Sequence, residues 1–138
     1  LSGGEQKILA PKMVQGSARQ LAQRANDQGL SFYKEKRYVE AEAAFTEALK
    51  LRPDFALAAN NLGFVYYKQH KYAESARWFE NAVKIDPSRA IAYLNMADAL
   101  MHMQQREAAK KAYQNFLELA PLSANAAYAK EAIKKLNE

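Results

Sequence analysis

Apolar residues in this chain recur at spacings of three and four, as in Ala41, Phe45, Ala48 and Leu49, with polar residues between them. Such spacing places one apolar stripe along a helix, so the chain reads as a series of amphipathic helices. The series has a fixed period. Pro53, Pro87 and Pro121 stand 34 residues apart, and the same step aligns Gly29, Gly63 and Ala97, then Phe32, Tyr66 and Leu100. It also aligns Ala41, Ser75 and Ala109, then Phe45, Phe79 and Tyr113, then Leu51, Ile85 and Leu119. Each column keeps size and polarity, except that Ala48 and Ala82 give way to Phe116. Every period holds two helices, the second stopped by its proline, whose ring cannot continue the hydrogen-bond ladder. The predicted helices lie near 18–35, 39–51, 56–69, 73–85, 90–104 and 107–119. Small residues allow each pair of helices to approach closely while the aromatic columns fill the space between them. Ser17 and Gln20 form a capping box for the first helix, and Ser123 is placed to cap a seventh over 124–137. The small residues Ala124, Ala126, Ala127 and Ala129 are expected to make room for Phe116.

At these residues the chain resembles the tetratricopeptide repeat family: LGFVYY at Leu62 to Tyr67, with Ser75, Phe79, Ala82 and Pro87, follows its small and large positions. The resemblance covers residues 22–123 as repeats 22–55, 56–89 and 90–123. It implies an all-α, right-handed α-solenoid of antiparallel helix pairs, with 124–137 as a polar capping helix and about seven helices in a domain over 17–138.

Residues 1–16 read as a flexible entry segment. LSGGEQ, at Leu1 to Gln6, lies close to the LSGGQ signature of ABC-type ATPases, but no phosphate-binding GxxxxGK[ST] accompanies it, and Pro11 and Gly16 interrupt any helix. The leading Leu in place of Met leads us to expect an excised or processed chain. With 49% hydrophobic and 25% charged residues the composition is that of a folded domain. No stretch approaches the roughly 18–20 apolar residues that span a bilayer, so no membrane insertion is expected. Without cysteine, and with only His70 and His102, neither thiolate chemistry nor a metal site is expected. No hydrolase or metalloprotease motif is present, and we expect neither catalytic residues nor a cofactor. The net charge of +5 is spread along the chain without a basic block, which argues against nucleic acid as the ligand.

In the resembling family the inner wall is lined by the first helix of each repeat, at its second, fifth, sixth, ninth, twelfth and thirteenth positions. That implies a concave groove whose partner-binding residues are Asn26, Leu30, Tyr33, Lys34, Leu57, Asn60, Asn61, Phe64, Tyr67, Lys68, Ile91, Leu94, Asn95, Asp98, Met101 and His102. Asp27, Asn61 and Asn95 form a polar row able to bond a peptide backbone, similar to the asparagine ladder of O-linked N-acetylglucosamine transferases, or else to bond water or their own helices. The apolar residues mark a docking wall. Lys34, Lys68 and His102 form a basic row that suits an acidic stretch of ligand or complements the helix dipoles. The expected function is a protein-interaction module, a scaffold or adaptor that takes an extended peptide or helix; the alternative is a segment of a longer or self-associating solenoid. Binding of a heat-shock chaperone tail by the family's two-carboxylate clamp is not expected. The family's two-carboxylate clamp would require Lys, Asn, Asn, Lys and Arg where this chain has Asn26, Leu30, Asn61, Ile91 and Asn95, and only Asn61 matches.

Overall fold

A computed structural model describes residues 16–138; the LSGGEQ segment and the rest of residues 1–15 lie outside the described residues. The described residues hold seven helices and no strand. They are α1 (Ala18–Lys34), α2 (Tyr38–Leu51), α3 (Ala56–Lys68), α4 (Tyr72–Ile85), α5 (Ala90–His102), α6 (Arg106–Leu119) and α7 (Ala126–Leu136). Neighbours in sequence pack on one another throughout, whereas α1 meets α3 and α3 meets α5 only sparingly. This is an all-α helical repeat.

The period of 34 recurs in the turns. Lys36, His70 and Gln104, one repeat apart, all take left-handed backbone, with φ of 61°, 61° and 58°. Each closes a first helix by the same pair of bonds: Lys36 N–H donates to the Tyr33 carbonyl and Arg37 N–H to that of Phe32, both at 2.9 Å, and the other two turns copy them. This is the Schellman arrangement, which satisfies carbonyls the helix end would otherwise orphan. It stops the first helices at Lys34, Lys68 and His102, one or two residues short of the predicted ends. At the far end of the first two repeats Arg52 and Asp86 swing to extended backbone, as residues before proline do.

The first helix begins on Ser17, whose Oγ accepts from Gln20 N–H at 3.0 Å while Gln20 Oε1 accepts from Ser17 N–H at 2.9 Å. The capping box is as read from sequence. Ser123 is not the cap of α7: its Oγ accepts from Asn125 N–H at 3.1 Å inside the preceding turn, and the helix starts at Ala126 with Asn125 as cap. The hydroxyl is spent on the turn, which delays the helix by two residues.

The close approach of the paired helices is visible at the glycines. A methyl group on Gly29 would come within 2.5 Å of the Phe45 ring, and one on Gly63 within 2.6 Å of the Phe79 ring. In the third repeat Ala97 faces Tyr113, both buried. Ser75, buried, donates its hydroxyl to the Gly63 carbonyl at 2.8 Å and ties α4 to α3. Phe116 is buried in the last core cluster with Ala129. Of the four alanines expected to admit it, Ala126 and Ala129 are buried on the inner face of α7, while Ala124 and Ala127 are exposed.

Candidate functional site

The first helices α1, α3 and α5, with α7, carry a row of cavities related by the repeat. The first, about 130 Å³, is lined by Leu30, Tyr33, Phe45, Asn61 and Phe64. A step of 34 residues converts that lining into Phe64, Tyr67, Phe79, Asn95 and Asp98, which line the second, about 120 Å³. A further step gives Asp98, Met101, Tyr113 and Ala132 among the residues of the third, which widens to about 280 Å³ and also takes in Tyr67, His102, Tyr128, Glu131 and Lys135. The widening follows from residue size. Where the second cavity has Tyr67 and Asp98, the third has Met101 and Ala132. Phe64 is shared by the first two cavities and Asp98 by the last two, so the three are continuous along one wall.

Edge-to-face aromatic contacts fix that wall. Phe64 meets Tyr33 at 6.4 Å and Phe79 at 5.7 Å between ring centres, and Tyr33 meets Tyr38 at 5.9 Å. His102 stacks flat on Tyr72 at 4.0 Å and shares a 3.0 Å hydrogen bond between its Nε2 and the Tyr67 hydroxyl. Asp98 Oδ1 accepts from the Tyr113 hydroxyl at 2.7 Å and the Tyr128 hydroxyl at 2.6 Å, which joins α5, α6 and α7. Burial first, then the bonds to Tyr128 and Asp98, push the Tyr113 phenol far above its ordinary value.

The asparagines are arranged differently from the row seen in the sequence. Asn61 Nδ2 donates to Asn26 Oδ1 at 3.0 Å, and Asn95 Nδ2 to Asn60 Oδ1 at 3.3 Å. These bonds span adjacent first helices at a spacing of 35 residues, as does the bond from Tyr67 to His102. Neither of the uses expected of them, a peptide backbone or water and the residue's own helix, describes these two bonds. Asp27, the third member of that row, accepts from Gln23 Nε2 at 3.0 Å on its own helix. The buried Asn26 Nδ2 has no hydrogen-bond partner.

Of the sixteen wall residues named from the sequence, Leu30, Tyr33, Asn61, Phe64, Tyr67, Asn95, Asp98, Met101 and His102 line the three cavities. Asn26 and Leu94 are buried, at 0% and 5% exposure, and Asn60 lies beneath Asn95. Leu57 packs into the core beside Phe55 and Ala58. Lys34, Lys68 and Ile91 are exposed and line none of the three cavities. The residues missed were Phe45, Phe79 and Tyr113 of the second helices and Tyr128, Glu131, Ala132 and Lys135 of α7, all outside the inward positions of the first helices. Tyr113 carried a signal, since it continues the Phe45 and Phe79 column with a hydroxyl added. No group of three or more potential metal ligands occurs among the described residues.

Comparison with known proteins settles the family. Tetratricopeptide repeat profiles match residues 26–90 and again 91–123. The chain belongs to the tetratricopeptide repeat family. Among curated proteins none matches it. The first tetratricopeptide repeat domain of Spaghetti (RPAP3), bound to the HSP90 peptide SRMEEVD, is 26% identical over 86% of this chain and 92% of that one, with a TM-score of 0.80. The second domain of human RPAP3, in complex with the HSP70 peptide SGPTIEEVD, is 24% identical over 88% of this chain and 98% of that one, with a TM-score of 0.80. The TPR2B domain of yeast Sti1, in a complex with pHsp70, is 20% identical over 86% of this chain and 97% of that one, at 0.79.

These neighbours correct one expectation. The exclusion of chaperone tails, argued from Asn26, Leu30, Asn61, Ile91 and Asn95, does not stand, because solved domains with this tetratricopeptide fold hold such tails. The physical reason is that the five positions test one set of side chains, not the groove. Asn26 and Asn95 hold neighbouring helices together here, and the polar groups of the wall include Tyr67, His102 and residues of α7 that the five positions never sample.

Proposed function

We propose that this tetratricopeptide repeat chain is a scaffold module that takes an extended, acid-bearing segment of a partner protein along the row of three cavities. A carboxyl-terminal chaperone tail is the leading candidate. The observation that carries the proposal is the 26% identical domain solved with SRMEEVD, matched over nearly its whole length. Three cavities at one per repeat suit side chains of an extended segment, and the exposed Lys34 and Lys68, at the ends of α1 and α3 beside Tyr33 and Tyr67, suit its carboxylates. Phe64, Tyr67 and Met101 supply apolar contact, and the remaining amide hydrogen of Asn61 is a donor for a peptide carbonyl. The affinity should be micromolar, because an extended peptide loses ordering entropy when it binds. The test is calorimetric titration of the peptide SRMEEVD, its carboxyl-terminal amide and a scrambled control. Micromolar binding that weakens on amidation, in Phe64→Ala and in Lys68→Glu supports the proposal. Equal or absent binding of peptide and control removes chaperone tails from consideration.

A further inference from the structure

A cavity larger than any of these three lies on the other face of the helix layer. It measures about 770 Å³ and is lined by α4, α5 and α6, with Met96, Leu100 and Met103 as floor and Ala73, Ala76, Ala108 and Ala112 as walls. Met96, Leu100 and Met103 are spaced four and three apart and so share one side of α5, away from Asp98 and Met101 in the row above. The repeat supplies an internal control. One period earlier, between α2 and α4 over α3, the positions of Ala76, Leu100, Met103, Ala108 and Ala112 are held by Glu42, Tyr66, Gln69, Glu74 and Trp78.

Those larger side chains pack into the earlier groove, and the cavity beside Trp78, about 530 Å³, is lined by Arg77, Trp78, Glu80, Asn81 and Lys84 of α4 alone. Trp78 packs half-buried against the cluster of Ala41, Phe45, Leu62 and Val65, together with Tyr66. The Tyr66 hydroxyl donates to Glu42 at 2.8 Å, and Gln69 Nε2 donates to the other Glu42 oxygen at 3.4 Å. In the later groove both the indole and the polar network are cut back to alanine, leucine and methionine. The vacated space therefore corresponds to a large aromatic side chain, with thioethers beside it that favour aromatic contact. Its mouth is basic. Arg77 and Lys111 line it without an ion pair among the described residues, while Glu80 is occupied by Lys84 at 3.5 Å.

We infer that this groove binds a helix of a partner protein that inserts a tryptophan or phenylalanine between α4 and α6 and sets acidic residues against Arg77 and Lys111. The partner's ring occupies the place that Trp78 takes one repeat earlier. This surface is separate from the row of cavities above, so the chain has two docking faces.

The test uses a stapled helical peptide with one tryptophan flanked by glutamates, added to the whole chain with methyl groups observed by NMR. Saturable shifts at Ala76, Met96, Leu100, Met103 and Ala112 are expected, with Leu30 and Met101 unmoved. Replacing the peptide's tryptophan by alanine should weaken binding at least about tenfold, as loss of a buried aromatic anchor does. Ala112→Trp, which restores the filling residue of the earlier repeat, should abolish it. Lys111→Glu should weaken it severalfold. Should Ala112→Trp fail to fold by circular dichroism, Ala108→Trp at the exposed mouth serves in its place. Equal binding of the alanine peptide, shifts centred on Leu30 and Met101, or no shifts at millimolar peptide would overturn the inference. So would a concentration-dependent dimer that Ala112→Trp dissolves, since a second copy would then own the groove.

Discussion

His70 sits in left-handed backbone, with φ of 61°, where a side chain meets its own following carbonyl at a cost of about 1–2 kcal/mol. Lys36 and Gln104 carry the same strain, and glycine is relieved of it. His70→Gly should therefore raise stability by up to about 1 kcal/mol after the loss of its 2.8 Å bond to the Tyr72 hydroxyl, measured by thermal or urea denaturation. The opposite sign is expected at Gly63. Alanine is the better helix former, yet its methyl would sit 2.6 Å from the buried Phe79 ring. Gly63→Ala should cost about 1–3 kcal/mol by overpacking, and a variant as stable as the parent would show that Phe79 yields at little cost. The two residue types differ in how well they announce themselves. A glycine column facing a phenylalanine column is legible because close approach demands a missing side chain. The left-handed turns are not, because Lys36, His70 and Gln104 have nothing in common but their position in the repeat.

Between helices, the period of 34 made the pairs legible and concealed how the pairs join. Equivalent residues recur at 34, but the superhelical offset brings residue i against i+35, so the bonds from Asn26 to Asn61 and from Asn60 to Asn95 cut across the columns. The third cavity was concealed for a related reason: it borrows Tyr128, Glu131 and Lys135 from α7, beyond the last repeat. The phenols of these junctions, Tyr66 half-buried and Tyr113 buried, carry a pH signature. Burial, then the bond to Glu42, pushes Tyr66 up to about 12, and Tyr113 is raised further in the same direction. A phenol whose folded value exceeds its unfolded one, near 10, contributes stability in full below pH 10 and loses it as pH climbs toward the folded value. Melting temperature should hold to about pH 9.5 and fall between about pH 10 and 12, with a shallower fall in Tyr113→Phe. A slope unchanged in that variant would move the effect to other tyrosines.

Across the whole molecule, stability in a repeat array is a sum of units and nearest-neighbour interfaces, so damage at one end should stay there. Helix α7 is the place to apply that rule. It covers Tyr113 and Phe116 through Ala129 and Ile133, and it holds Tyr128 against Asp98. Deleting residues 124–138 uncovers two large aromatic side chains that are now almost wholly buried, and it opens the third cavity on one side. Hydrogen exchange should then speed up sharply in α5 and α6, while α1 and α2, which touch neither α6 nor α7, keep their protection. Uniform loss of protection would mean that the chain folds as one cooperative block. In that event the groove could not accept a ligand at one end without tightening the other, and binding of an extended segment would stabilise every helix alike.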